Sequence, residues 1–381
     1  MRPYFRNYTS AANPRRRDVS PSIKRSPRIK PFANGSPSPA ACATKYSRIT
    51  PPLSTAARPV FHLDGGIKLT QADLALDVRR RQRCGFISHA HFDHLARHEL
   101  ALLTPETARF YQFRLGGRRR VREMPYRQPI EWAGLQLETY PAGHCLGSAM
   151  LLARDATQSL LYTGDFKLGQ PATCPAAELP KADILIMECT FGNPTYRMPP
   201  RDQVLDQLLT TVHAALAEGK TPVIHAYVLG KAQEVTRLLT TAGVPVLQHP
   251  KVYEVSQIYS QCGVDLGDCR LYPGHAVEGH AVVVPPKQSR SWRVAGLRET
   301  LSIAVTGWAI NPSTRYRLQV DHAIPLSDHA DYDELFETVE RVAPREIHCT
   351  HGPDIEGFAS RLREAGHNAF PLGRASQMRL F

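Results

Sequence analysis

The stretch Phe-Ile-Ser-His-Ala-His-Phe-Asp-His-Leu-Ala-Arg-His, at Phe86–His98, contains four potential metal ligands within six residues. On a loop that leaves a strand and enters a helix, this spacing directs His89 and His91 to one metal ion. It directs Asp93 and His94 to a second ion a few Å away. Imidazole and carboxylate ligands together suit zinc, with manganese or iron as alternatives. A histidine-rich solvated turn is the structural alternative, but the density of ligands favours a metal site.

Five further acidic or histidine residues follow apolar segments later in the chain. His144 is framed by glycines directly after a strand, and Asp165 ends an apolar strand in a position suited to bridge two cations. Glu188 also ends an apolar strand, where burying an unpartnered carboxylate would be costly. His329 lies in a polar loop before a helix, and His351 lies where a strand ends in His-Gly. Neither of these last two segments is distinctive by itself.

Asp77 closes the predicted strand Asp73–Asp77, about ten residues before the histidine cluster. A carboxylate there can accept a hydrogen bond from a metal-binding imidazole and fix its tautomer. It can equally cap a helix that begins at Val78. The residues alone leave both interpretations open.

The net charge of +12 is concentrated at the amino terminus. Residues 1–50 contain eleven Lys or Arg residues and a single acid, and they are rich in Pro, Ser and Ala. Such a segment is predicted to be disordered. It has three interpretations: an arm that binds phosphate backbones, a targeting peptide, or translated sequence upstream of the true start. No apolar run approaches the roughly 18–20 residues of a membrane-spanning helix, so no membrane association is expected.

The eight cysteines are scattered through the chain and form no Cys-x-x-Cys pair. This pattern is typical of reduced, mostly buried thiols, so a cytoplasmic protein without disulfides is expected.

Taken in order, four motifs resemble those of the metallo-β-lactamase superfamily. They are the His89–His94 cluster, Gly143-His144, Thr163-Gly164-Asp165 and Thr350-His351-Gly352. The resemblance implies an α/β protein with a four-layer αββα sandwich and a dinuclear metal site at one edge.

Three residues narrow the resemblance to the β-CASP branch, the nucleic-acid-processing subset of the superfamily. Glu188, His329 and His351 are similar to its first, second and third motifs. A histidine at the third motif resembles the RNA-processing members, such as mRNA 3′-end processing factors, and differs from the Artemis-like repair nucleases. Three segments also resemble bacterial exonuclease-like proteins associated with DNA ligases: Phe191–Arg197, Ala226–Gln233 and Leu326–Asp331. The long basic tail departs from that family.

The resemblance also implies a domain organisation. Residues 1–57 would be the disordered basic tail, and 58–191 the first part of the metallo-β-lactamase domain. Residues 192–310 would be a small inserted α/β domain, the β-CASP insert. Residues 311–381 would then complete the metallo-β-lactamase domain.

The implied function is that of a metal-dependent nuclease, exonuclease-like and acting in DNA repair or RNA processing. Two divalent ions, zinc or alternatively manganese, would activate a water molecule to hydrolyse a phosphodiester bond. In this scheme His329 is the general acid, Glu188 orients it, and Asp77 supports the metal ligands. The implied ligands are His89, His91 and His144 for one ion, Asp93, His94 and His351 for the other, and Asp165 as the bridge.

Two alternatives come from other classes of function. One is a thioester or lactone hydrolase of the same fold, and the other is an inactive nucleic-acid-binding scaffold. The expected partner is DNA or RNA, preferably single-stranded, with a DNA ligase or helicase repair system as a further candidate. Dimerisation occurs in relatives of the family, but no sequence feature here indicates it.

Overall fold

The computed structural model describes residues 60–372, except for 288, 290–292 and 294. The predicted basic tail, residues 1–57, lies outside the described residues. In the described part, none of the helices combines the length and the apolar character that crossing a membrane requires.

The first sheet contains six strands that lie side by side in sequence order. The first three strands pair antiparallel, and each later strand pairs parallel to the one before it. The strands are β1 (Phe61–Leu63), β2 (Ile67–Leu69), β3 (Leu74–Leu76), β4 (Cys84–Phe86), β5 (Leu100–Leu103) and β6 (Val121–Glu123).

The second sheet contains seven strands in the order β19-β18-β11-β10-β9-β8-β7. The last four of these form an antiparallel meander, whereas β10, β11, β18 and β19 run parallel. The strands are β7 (Ile130–Trp132), β8 (Leu135–Pro141), β9 (Ala149–Arg154), β10 (Ser159–Tyr162), β11 (Ile184–Glu188), β18 (Glu346–Thr350) and β19 (Ala369–Pro371).

The alternation of side chains along these strands produces two apolar faces per sheet. In β11, for example, Ile184 and Ile186 pack against the first sheet, whereas Leu185 and Met187 pack on the opposite face. Phe86 and Leu102 are among the residues of the first sheet that complete the buried interior between the sheets. This arrangement explains why β11 is apolar from Ile184 to Met187, because the strand is covered on both sides.

Helices cover the outer face of each sheet and complete four layers. Helix α1 (Pro105–Leu115) packs on the first sheet, and α6 (Tyr332–Val342) and α7 (Ile355–Glu364) pack on the second. Helix α4 (Pro250–Gln261) contacts α1 and shares its apolar cluster, but it packs on strands of a third sheet. The predicted α/β class and αββα sandwich are therefore confirmed.

A third sheet lies between residues 221 and 324, and all of its strands are parallel. It packs against α2 and α3 through a separate apolar core. The strand order is β14-β13-β15-β12-β16-β17. The elements are α2 (Arg201–Ala217), β12 (Thr221–His225), α3 (Lys231–Thr241), β13 (Val246–Gln248), β14 (Cys269–Leu271), β15 (Ala281–Val284), β16 (Thr300–Val305), a 3₁₀ turn (Gly307–Ile310), α5 (Ser313–Leu318) and β17 (His322–Ile324).

The loop that contains the histidine cluster differs from the sequence-based expectation in one respect. It leaves β4 as predicted, but it ends in strand β5 and not in a helix. The reason is pairing, because β5 (Leu100–Leu103) hydrogen-bonds between β4 and β6. Burial in the sheet outweighs the helical preference of the Leu- and Ala-rich sequence.

Candidate metal centre

The candidate ligands converge at the edge of the sandwich where the parallel strands end. Asp165, Glu188 and His351 lie at or just after the carboxyl ends of three neighbouring parallel strands, β10, β11 and β18. The histidine cluster follows β4 of the facing sheet, and His144 lies in the turn between β8 and β9. Ligands that are far apart in sequence are thus brought together by strand order.

Three imidazoles form the first group. His89 Nε2 lies 3.0 Å from His91 Nδ1, and His144 Nε2 lies 3.1 Å from that same atom. The Asp165 carboxylate completes a set whose ligand atoms all lie within 4.8 Å of one another. The structure therefore gathers these four predicted residues around one point.

Hydrogen bonds on the outer ring nitrogens determine which tautomers His91 and His144 adopt. His91 Nε2 lies 3.0 Å from the carbonyl oxygen of Leu229, and His144 Nδ1 lies 2.7 Å from that of Asp328. A carbonyl oxygen only accepts, so each of these nitrogens must donate a proton. The inner nitrogens of the neutral rings then carry lone pairs that face each other.

The Asp77 carboxylate orients the imidazoles of His89 and His94. Ser88 Oγ donates to Asp77 Oδ2 over 2.5 Å and therefore accepts from His89 Nδ1, 3.0 Å away. His94 Nδ1 lies 2.8 Å from the same Asp77 oxygen, and Tyr162 Oη donates to it over 2.9 Å. The alternative interpretation of Asp77 as a helix cap is wrong, because residues 78–83 contain no helix.

The rings of the first group are neutral near pH 7. Burial, reinforced by the neighbouring imidazoles, lowers the pKa of His89 well below its usual range. Burial and the proximity of His144 lower the pKa of His91 to about 3. Burial likewise lowers the pKa of His144. Neutral imidazole is the form that binds a metal ion.

The second group consists of Asp93, His94 and His351. Asp93 Oδ2 lies 3.9 Å from His94 Nε2 and 3.8 Å from His351 Nε2. These two distances exceed hydrogen-bonding range, yet the ligand atoms converge within 4.8 Å. His351 has a positive φ of 51°, which is uncommon for a residue with a side chain. Strain of this kind is concentrated at functional sites.

Asp165 lies between the two groups. Its Oδ2 atom is 3.6 Å from His89 Nε2 and 3.2 Å from His94 Nε2. Burial acts to lower the pKa of His94, but the nearby carboxylates of Asp165 and Asp77 outweigh it and raise this pKa well above its usual range. Positive charge, carried by a proton or a metal ion, is therefore stabilised between His94 and Asp165.

The residues present fit divalent cations. Within the described part of the chain, Asp165 Oδ1 and His94 Nε2 are buried and have no hydrogen-bond partner, which is costly unless a cation satisfies them. Inward-facing lone pairs beside a buried carboxylate are also mutually repulsive without positive charge. Nitrogen and oxygen donors in this combination suit zinc and similar ions.

An ion pair adjoins this site. His329 Nδ1 lies 2.9 Å from Glu188 Oε1, and the rings of His329 and His144 lie 4.7 Å apart. Burial acts to lower the pKa of His329, but the Glu188 carboxylate outweighs it and raises this pKa to about 10. Glu188 is held in turn by Phe166 N over 3.0 Å and by the hydroxyl group of Thr190. His329 is therefore cationic near pH 7.

Comparisons with known proteins agree with this geometry. Residues 315–371 match the family model RMMBL, described as the Zn-dependent metallo-hydrolase RNA specificity domain. A probable DNA ligase from Opitutus terrae is 38% identical over 317 residues, covering 83% of this chain and 31% of that protein. Subunit 3 of the cleavage and polyadenylation specificity factor of Dictyostelium discoideum is 31% identical over 157 residues, covering 40% of this chain and 20% of that protein.

The endoribonuclease YSH1 of Candida albicans is 33% identical over 147 residues, covering 38% of this chain and 17% of that protein. The chain belongs to the β-CASP branch of the metallo-β-lactamase superfamily. This β-CASP protein spans less than a third of the length of these relatives. A solved structure of a protein of unknown function from Enterococcus faecalis V583 shares the fold, with a TM-score of 0.52 and 14% identity over 76% of this chain and 79% of that one.

Several groups that position the site of this β-CASP protein leave little or no signal in its sequence. Ser88 links Asp77 to His89 through two hydrogen bonds, and the backbone carbonyls of Leu229 and Asp328 orient the candidate ligands His91 and His144. A serine beside a metal-binding histidine is a weak signal, and a carbonyl group gives no signal in sequence.

Lys231 is a further missed residue, and it supports the loop that contains His329. Its buried ammonium group donates to the carbonyl of Leu326 over 2.8 Å and lies 3.3 Å from Asp328 Oδ1. Its position in the Ala226–Gln233 segment, which resembles the ligase-associated proteins, was the only indication of its role in the sequence.

We expect Lys231→Met to destabilise the β-CASP protein by about 3–5 kcal/mol, because it leaves the Asp328 carboxylate without its cation. Urea unfolding measures the change. The control Lys220→Met removes an exposed pair with Glu218 and should cost less than about 1 kcal/mol. Equal costs for the two variants would show that the buried pair is unimportant.

We expect Asp77→Asn to weaken zinc binding by about 10- to 100-fold, because an amide cannot accept from His94, Ser88 and Tyr162 together. Competition with a chelator measures the affinity. Asp73→Asn is the matched control, since Asp73 is exposed and its φ of 45° suits asparagine. Zinc affinity within twofold of the unmodified protein would exclude a supporting role for Asp77.

Proposed function

We propose that the chain is a metal-dependent nuclease that hydrolyses phosphodiester bonds in nucleic acids. The main support is the His329–Glu188 ion pair, which lies directly beside two groups of ligands that share Asp165. A small-ester hydrolase has no need of such a pair next to its metal ligands. The names of the relatives, a probable DNA ligase and an endoribonuclease, also favour a nucleic acid substrate.

In this proposal the site would hold two zinc ions, with manganese as an alternative. His89, His91 and His144 would hold one ion and Asp93, His94 and His351 the other, with Asp165 contributing to both. When bound, such ions acidify a water molecule and neutralise charge on the phosphoryl oxygens. The chain's own contribution is to present neutral imidazoles, whose tautomers are fixed by their outer hydrogen bonds.

His329 supplies the proton that the leaving oxygen requires. Glu188 keeps the ring cationic and occupies Nδ1, so Nε2 is the atom that transfers the proton. Glu188 is itself buried and held by Phe166 and Thr190, which fixes the orientation of the ring. A group that holds its proton tightly until the bond breaks is suited to an alkoxide leaving group.

The finer parts of the proposal concern the substrate and its context. The expected substrate is single-stranded DNA or RNA, cleaved in an exonuclease-like manner during DNA repair or RNA processing. A DNA ligase or helicase system, a homodimer and a cytoplasmic location belong to the same proposal. So does the division into a metallo-β-lactamase domain, 58–191 with 311–381, and a β-CASP insert, 192–310, although the third sheet continues past this second boundary to β17 (His322–Ile324).

Digestion of end-labelled single- and double-stranded DNA and RNA, with added zinc or manganese, tests the proposal. We expect metal-dependent release of short products from at least one substrate. The control variant His213→Ala, which removes an exposed imidazole on α2, should retain this activity. Hydrolysis of thioesters or lactones without nuclease activity would favour the small-molecule hydrolase, and salt-sensitive binding without bound metal would favour the scaffold.

A further inference from the structure

An exposed aromatic ring lies in the middle of the metal-binding loop. Phe92 is flanked by His91 and Asp93, and 64% of it is accessible to solvent. Single exposed apolar residues are common on protein surfaces and by themselves imply nothing. Phe92 is unusual because the adjoining residues on this loop turn inward to the site, so the ring stands directly beside the candidate ligands.

Arg114, in the last turn of α1, lies over this ring. Its guanidinium carbon is 4.4 Å from the centre of the Phe92 ring, a cation–π contact. Among the described residues, no ion pair or hydrogen bond involves the Arg114 side chain. The neighbouring Arg97 and Arg119, by contrast, donate to the carbonyl group of Leu115. Arg114 therefore offers a half-buried guanidinium group with all of its donors available.

A second exposed aromatic residue borders the same site from the third sheet. Tyr227 is 50% exposed and lies two residues before Leu229, whose carbonyl group contacts His91. The pKa of Tyr227 is raised by burial, with smaller contributions from the carboxylates of Asp328 and Asp93. Aromatic rings thus lie on both of the loops that meet at the metal centre.

We propose that Phe92 and Arg114 bind a nucleotide next to the scissile bond, with its unpaired base stacked on Phe92 and its phosphate on Arg114. The substrate class rests on the function proposed above. One face of the ring is occupied by the guanidinium group, which leaves the exposed face for a base. Stacking on a side chain requires a base that is not paired, so this site selects single-stranded nucleic acid. Guanidinium groups suit phosphate oxygens because they donate two hydrogen bonds in parallel.

Equilibrium binding tests the Phe92 part of this inference without relying on catalysis. Fluorescein-labelled six-nucleotide single strands of DNA and RNA, with phosphorothioate linkages to resist cleavage, are titrated with the full chain. We expect Phe92→Ala to raise the Kd by about 5- to 150-fold, the usual effect of losing one base–aromatic stack. Phe113→Ala is the matched control, because Phe113 is a 46% exposed aromatic residue on the same helix as Arg114.

An abasic strand separates stacking from damage to the fold. The loss of binding affinity caused by Phe92→Ala should largely disappear when the bases are removed from the probe. Equal metal content in both variants confirms an intact site. The inference is overturned if Phe92→Ala binds intact strands as tightly as Phe113→Ala does. It is also overturned if Phe92→Ala loses as much affinity for the abasic strand as for the intact strand.

Salt dependence tests the Arg114 part. Removing one phosphate contact should reduce the slope of log K against log salt by about one, so Arg114→Met should show a shallower slope than the unmodified chain. An unchanged slope would contradict the phosphate contact.

Failure of this inference is distinguishable from failure of the proposed function. Cleavage by a Phe92→Ala variant that binds normally overturns only the nucleotide site, and stacking-dependent binding without cleavage overturns only the nuclease.

Discussion

Replacing Asp165 by asparagine should abolish binding of at least one metal ion and reduce phosphodiester hydrolysis by at least about 10³-fold. The carboxylate is buried and faces both His89 and His94. Its negative charge is what stabilises positive charge between the two groups, and asparagine keeps the shape without the charge. Loss of such electrostatic stabilisation costs several kcal/mol, and about 4 kcal/mol corresponds to this change in rate.

Metal analysis and rate measurements on the same preparation test the Asp165 prediction. Asp206→Asn, an equivalent change at an exposed position on α2, should leave both quantities unchanged. An Asp165→Asn variant that retains full metal content and full activity would remove Asp165 from the bridging position.

Replacing His329 by alanine should give a different result, namely full metal content with cleavage reduced by at least about 10²-fold. This is the usual contribution of a general acid. His329 Nδ1 is hydrogen-bonded to Glu188 and its ring makes an edge-on contact with His144, so it adjoins the candidate ligands without being needed to hold a metal ion.

The leaving group provides a sharper test of the role of His329. A p-nitrophenyl phosphodiester releases an anion that needs no proton, so the loss should be much smaller on this substrate than on an oligonucleotide. Loss of metal from His329→Ala would place this residue among the ligands. Equal losses on both substrates would exclude proton donation to the leaving group.

Much of the fold follows from short segments of the sequence. The spacing within His89–His94 indicates a loop after a strand, and the strongly apolar Ile184–Met187 segment indicates a strand covered on both faces, as found in β11. The four-layer sandwich depended on the family resemblance, because periodicity alone does not determine strand order. The expectation that the histidine loop enters a helix directly was wrong, because strand β5 follows the loop and its pairing between β4 and β6 outweighed local preference.

The support of the site was harder to predict than its ligands. A ligand must have a particular side chain, so it leaves a signal in sequence. The tautomers of His91 and His144 are instead set by backbone carbonyls, to which any residue type contributes equally. The contact of Arg114 with Phe92 depends on how α1 packs beside the metal-binding loop, which no local pattern specifies.

The proposed function depends on a pair of cations that share one carboxylate at this edge of the sandwich. Calorimetric titration of zinc into the metal-depleted full chain tests it most directly, with elemental analysis of the protein as purified. We expect two ions to bind per chain, and one or none to bind to the Asp165→Asn variant. A stoichiometry of one or zero for the unmodified chain would contradict the account.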